Sequence, residues 1–128
     1  MALVPAQQIE GFKKVGSSYT PSSDYFSAGT IALYVNENIR KCLVVTEDLG
    51  LTAKDISSTK PKAILSTLPS AYRPSYLAVA QAVAVDSSGS AKDIGNIQKN
   101  NSQDTLIYAN MSAITAGWRV RFQLEWMY

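Results

Sequence analysis

The chain contains no histidine and one cysteine, Cys42, among its 128 residues. Without histidine, Ser-His-Asp and Cys-His nucleophile systems are excluded, as are zinc sites of the usual Cys/His composition. Acid–base chemistry near neutral pH would fall to carboxylates, lysine or tyrosine with shifted pKa values. A single cysteine excludes an intramolecular disulfide, and with it a small secreted fold held by covalent staples. Charge of one sign is scarce too: 12 basic and 10 acidic residues are interspersed and leave a net charge of +2. That balance gives no electrostatic footprint for nucleic acid or for an anionic membrane surface. No apolar run approaches the ~18 residues of a membrane-spanning helix. The opening "MALVPAQQIEGF" has neither the basic start nor the long apolar centre of a signal peptide. This inventory points away from an enzyme, a cofactor, nucleic acid and membrane insertion.

What the chain does have is apolar content, 46% of its residues, which is enough for one core and too little chain for two. Residues 1–29 hold "GSSYTPSSDYFSAG", rich in Gly, Ser and Pro. Tyr19, Tyr25 and Phe26 within it suggest an extended arm lying on apolar surface, with a flexible linker as the alternative. From residue 30 onward short strands follow one another. "TIALYV" and "IRKCLVVT" flank the polar connector "NEN" and read as a hairpin. Cys42 falls mid-strand, where a cysteine most often behaves as a small buried hydrophobe. The only helix candidate, residues 47–63, is broken by Gly50 and closed by Pro61. Further short strands are expected around residues 49–52, in "AILSTLP", in "DIGNI" and in "TLIYANM".

Two longer stretches alternate strictly. In "YLAVAQAVAVD", Leu77, Val79, Gln81, Val83 and Val85 share one face, and Ala78, Ala80, Ala82 and Ala84 share the other. The bulky face is expected in the core. The alanine face is then left for a close-packed neighbour: a second and third copy of the chain, or the N-terminal arm. In "WRVRFQLEWMY", Trp118, Val120, Phe122, Leu124 and Trp126 alternate with polar residues, which predicts one continuous closing strand with a wet outer face. Eight to nine short strands with little helix predict an all-β domain over residues 30–128, an antiparallel β-sandwich of jelly-roll type.

The candidate motifs are few. "DSSG" at residues 86–89 has one carboxylate and lacks the alternating ligands of a calcium loop, so it reads as a hairpin turn. "SSGSAKDIG" does not have Walker spacing. The hairpin tip "QKNNSQD" is the densest set of planar donors and acceptors, with Asn100, Asn101, Gln103 and Asp104. These four are the candidate ligand-binding residues, and Trp118, at the start of the last strand, is either core or a stacking platform for a sugar. No metal ligands and no catalytic pair are assigned.

One phrase remains, "LSTLPSAYRPSY" at residues 65–76. Pro69 and Pro74 fix φ and remove amide donors, so the stretch cannot be a central strand and reads as a structural crossover. Arg73 is expected to clamp it by donating to several carbonyls. The order of short strands, this phrase, an alternating strand, an "SSG" turn, "IGNI", "LIY" and the closing "TAGWRVRFQLEWM" resembles the C-terminal receptor-binding head of bacteriophage tail-fibre and baseplate proteins. The resemblance covers residues 30–128 and departs from the usual form in lacking a heptad or triple-β stalk upstream. It implies a non-catalytic virion protein of the phage tail tip, a homotrimer that binds host cell-surface saccharide and docks with other tail or baseplate proteins. A structural tail subunit without a receptor of its own is the alternative, and a carboxylate-based glycan-degrading enzyme a third reading.

Overall fold

Alternating apolar and polar residues become eleven strands among the residues described by the computed structural model, 11–57, 62–101 and 107–128. They are β1 (Lys13–Lys14), β2 (Phe26–Ala28), β3 (Ile31–Asn36), β4 (Lys41–Thr46), β5 (Leu51–Ala53), β6 (Lys62–Leu65), β7 (Ala78–Val85), β8 (Ala91–Lys99), β9 (Ile107–Met111), β10 (Arg119–Arg121) and β11 (Gln123–Met127). They form two antiparallel sheets, ordered β1-β3-β4-β11 and β2-β5-β10-β7-β8-β9-β6. The fold is all-β and β-sandwich-like, with the larger sheet curled into a half-barrel. Apart from strands, the described residues include one short 3-10 turn, at Ser70–Tyr72.

The curl is closed by residues 11–29. β1 runs along β3, and Tyr19 and Ile31 exchange backbone hydrogen bonds of 2.7 and 2.9 Å. The Ser22 amide then donates to the Ile64 carbonyl beside β6, while β2, a few residues on, pairs with β5 at the other edge of the same sheet. This segment therefore touches both edges of the seven-stranded sheet. It also explains why "IALYVN" is a continuous buried run. Ile31, Leu33 and Val35 face the main core, and Ala32 and Tyr34 face outward into a smaller cluster with Leu43, against which Phe12 packs. A strand buried on both faces loses its polar alternation.

The closing strand is two strands. Val120, Phe122, Leu124 and Trp126 are all buried, as the alternation requires, but β10 belongs to the larger sheet and β11 to the smaller. The chain changes sheet at Phe122. There Thr46 holds the corner: its amide donates to the Phe122 carbonyl, and the Phe122 amide donates to its hydroxyl at 3.3 Å. The two strands of the arm and this break raise the count above eight to nine.

The faces of β7 are the reverse of those expected from residue size. Ala78, Ala82 and Ala84 are buried in the core, whereas Leu77 and Val79 are 48% and 55% exposed. Neighbours decide it. Ala84 pairs with Val120 and Ala80 with Ile97, and both partners are fully buried, so residues opposite them in the same sheet must also point inward. β7 lies against β11 of the other sheet, which supplies Leu124 and Trp126. Small residues facing large ones let the layers interdigitate. The alanine face is thus inside the sandwich, and it is not a seam between copies.

"DIGNI" is the middle of a nine-residue strand with a bulge. Ile94 and Ile97 are three apart and would face opposite sides of a regular strand. Ala82 is opposite Gly95 and Val83 opposite Asp93, so Ile94 is the extra residue, and both isoleucines turn inward. Gly95 takes φ +124, a conformation that an L side chain does not readily adopt.

The crossover at residues 66–77 is anchored, but not by Arg73, which is exposed and makes no hydrogen bond or ion pair among the described residues. Leu68 and Pro74 are buried, the Ser75 amide donates to the Met127 carbonyl, and the Trp126 indole N–H donates to the Tyr72 carbonyl at 2.7 Å. The Tyr72 ring meets Tyr128 edge-on at 5.2 Å, and the Arg40 guanidinium lies 4.5 Å from the Tyr128 centroid. Arg73→Ala should therefore shift stability by less than about 0.5 kcal/mol, as for an ordinary surface site. Trp126→Phe, which strands the Tyr72 carbonyl, should cost about 1–3 kcal/mol. Equilibrium urea unfolding of the two variants checks this ranking, and the reverse order would contradict it.

Candidate functional site

The residues singled out from the sequence do not gather. Asn100 is half-buried and Asn101 exposed just beyond the end of β8; Gln103 and Asp104 lie outside the described residues. Trp118 precedes Arg119, which pairs with Val85, which pairs in turn with Ala91 at the start of β8. It is therefore separated from Asn100 by the whole of β8, about 27 Å at ~3.3 Å per residue. Trp118 packs on the core, and the Lys92 ammonium sits 5.6 Å from its ring centroid. A sugar stacking there would have to displace that cation.

The polar turns are committed to local structure. Asp86 Oδ1 accepts from the amides of Ser88 and Ser90 and from the Ser88 hydroxyl at 2.7–2.9 Å. Those donors, the Ser88 hydroxyl first, hold its carboxyl below the usual carboxylate range. Burial alone would raise Glu47, but hydrogen bonds from Ser18, Thr30 and Lys14 outweigh it and lower the net value. Asp55 caps the Ala116 amide and Asp93 the Gly95 amide, at 2.8 and 3.1 Å. Among the described residues no group of three His, Cys, Asp or Glu side chains could hold a metal. Cys42 is fully buried, and burial pushes its thiol up to about 12. A neutral thiol favoured by the fold makes stability fall as pH climbs from about 9 toward 12, because the unfolded chain loses its proton first. Cys42→Ala should flatten that alkaline decline in a series of thermal melts; an unchanged slope would place its cause elsewhere.

A different set of side chains does converge, on the outer face of the larger sheet. Register places Gln81, Asn96 and Asn110 side by side across β7, β8 and β9, with Val79, Gln98 and Tyr108 in the next row. Inward partners are the buried Ala82, Ile97, Ala109 and Met111, so these alternate residues point out. Strands ~4.8 Å apart give rows about 10 Å long, and two residues along a strand separate the rows by about 6.6 Å. Gln81 and Asn110 are exposed, Asn96 and Gln98 half-buried. None of the four amides makes a side-chain hydrogen bond among the described residues. Four carboxamides on one sheet face bring eight N–H donors and as many lone pairs, with a tyrosine ring and an aliphatic side chain at one margin.

That face continues toward β10 through Val83, Val85, Arg119 and Arg121. Toward the other end lies an apolar margin: Tyr76 (60% exposed), Leu77, Val79 and Met127 account for four of the six exposed large hydrophobics among the described residues. The Ser75–Met127 hydrogen bond brings the two strand ends together there. The signal for the amides is present in the sequence: Asn96 and Gln98, and Tyr108 and Asn110, each alternate with apolar residues. With Gln81 on the core side of β7, as residue size suggests, these positions do not form a group. Comparison of the chain with protein-family models, with curated proteins and with solved structures returned no match.

Proposed function

We propose that this chain is a non-catalytic receptor-binding head of a bacteriophage tail tip, and that it holds host cell-surface saccharide on the outer face of β7, β8 and β9. The observation that carries the reading is the double row of Gln81, Asn96, Asn110 and Gln98, which make no side-chain hydrogen bond among the described residues and lie beside Tyr108. Saccharide hydroxyls both donate and accept, and carboxamides match them in both senses without carrying charge. The tyrosine ring and Val79 offer the apolar surface on which the C–H face of a sugar packs. The "LPSAYRP" phrase and the strand order after it support the placement in a phage tail by resemblance. Glycan cleavage is less well supported, since it needs two carboxyl groups ~5–9.5 Å apart with one kept protonated; Glu47 and Asp86 are both shifted toward the anion.

The alternative, a structural tail or baseplate subunit, draws on the apolar margin of Tyr76, Leu77, Val79 and Met127, which suits a protein contact. For a homotrimer, which we retain as a proposal, this margin replaces the alanine face as the seam. Purified protein should block phage adsorption to a subset of bacterial strains and bind their cell-wall polysaccharide. Replacing Gln81, Asn96, Gln98 and Asn110 together by alanine should weaken that binding by at least about tenfold, since each lost hydrogen bond removes ~0.5–1.5 kcal/mol. Binding to no polysaccharide, by a folded protein that still joins tail proteins, would favour the structural subunit.

A further inference from the structure

A recess lies away from the amide face, where the N-terminal segment, the β3–β4 turn and the crossover meet. Its volume is about 220 Å³, and its wall includes Lys13, Val15, Val35, Glu37, Asn38 and Tyr72. The pieces are held firmly. Tyr72 is fixed through its carbonyl by Trp126 and through its ring by Tyr128. The turn is shaped by the Asn36 side chain, whose Oδ1 accepts from the Asn38 amide at 3.1 Å. β1, which brings Lys13, is paired to β3, and Gly11 ahead of it (φ +86) passes so close to Asn36 that a Cβ there would collide with the Asn36 amide nitrogen. Lys13, Glu37 and Asn38 make no side-chain hydrogen bond among the described residues, so a carboxylate, an amide and an ammonium line the recess uncommitted.

We propose that this recess is a separate saccharide site that takes one pyranose ring. The volume lies below the ~300–1,000 Å³ of sites that enclose drug-sized ligands, which limits the occupant to a single ring. The Tyr72 ring and the half-buried Val15 match the C–H face of a pyranose, with the buried Val35 behind them. Glu37 accepts from neighbouring hydroxyls, Lys13 donates, and Asn38 does both, which fixes the ring's orientation. A terminal sugar held here, on a different part of the molecule from the amide rows, would give one chain two points of attachment to a branched polysaccharide, and two weak sites multiply when engaged together.

Saturation-transfer difference NMR with free glucose, galactose, rhamnose and N-acetylglucosamine at millimolar concentration tests the site. At least one sugar should show transfer, and Glu37→Gln combined with Asn38→Ala should weaken it by about tenfold, as expected for losing a hydrogen bond to a charged group. Both residues are exposed in the turn, so the melting temperature of that variant should match the parent. The four-amide alanine variant should keep the monosaccharide signal while losing polysaccharide binding. Transfer from no sugar, or transfer that survives the Glu37/Asn38 substitutions, overturns the recess as a site. Transfer lost only in the four-amide variant also overturns it, and leaves the sheet-face reading standing.

Discussion

Ala82→Lys is expected to unfold most of the protein, not to divide an oligomer. Ala82 has no exposed surface and sits opposite Gly95 in the middle of β7, with Ile97 and Val120 inward on the neighbouring strands. A lysine there places an ammonium in the core with no carboxylate to meet it. An unpaired buried charge costs more than about 4 kcal/mol, a large part of the ~5–15 kcal/mol that stabilises a typical domain. Val79→Lys, on the opposite face of the same strand, should leave the melting temperature nearly unchanged, because Val79 is already more than half exposed. Circular dichroism melts of the two variants decide between the faces. If the Ala82 variant folds normally and only sediments as a smaller species, the alanines are at an interface and the sheet has been oriented the wrong way round.

Gly95→Ala is the second large effect, expected at about 3 kcal/mol. Two costs add. The backbone at φ +124 disfavours any Cβ, and the new methyl would be driven into the Asn110 carbonyl oxygen of β9. Relieving that contact means separating β8 from β9 or undoing the bulge, and undoing the bulge would turn Ile94 or Ile97 out of the core. Gly89→Ala is the matched control, since Gly89 also has positive φ (+85) but nothing near its missing Cβ. It should lose only the ~1–2 kcal/mol of left-handed strain. Equal losses in urea unfolding would show that β8 and β9 do not approach as closely as described.

The last strand shows how much the sequence alone reveals. Five large apolar residues at a period of two named the inward face correctly, because that alternation leaves a helix no alternative. It did not show that the strand changes sheet at Phe122, since the alternation runs on unchanged through the corner. β7 failed for a related reason. Its two faces are both apolar, so pattern alone fixes the period and not the side, and side-chain size is a poor arbiter when the opposing layer carries Leu124 and Trp126. That error concealed the candidate site as well, for once Gln81 is counted as core, Asn96, Gln98 and Asn110 look like unrelated solvated residues. The bulge was readable in hindsight from Ile94 and Ile97 standing three apart around a glycine. Arg73 has the donor capacity for a clamp, but its guanidinium is exposed, and the crossover is held by buried Leu68 and Pro74, the Trp126 indole and the Ser75 amide, whose partners lie far along the sequence.

NMR titration shows whether saccharide lands on the amide rows of β7, β8 and β9. A cell-wall polysaccharide that competes with phage adsorption should shift the side-chain NH₂ resonances of Gln81, Asn96, Gln98 and Asn110, together with the backbone amides of those strands. Shifts confined to Asn100, Asn101 and Trp118, with the four carboxamides unmoved, would contradict it.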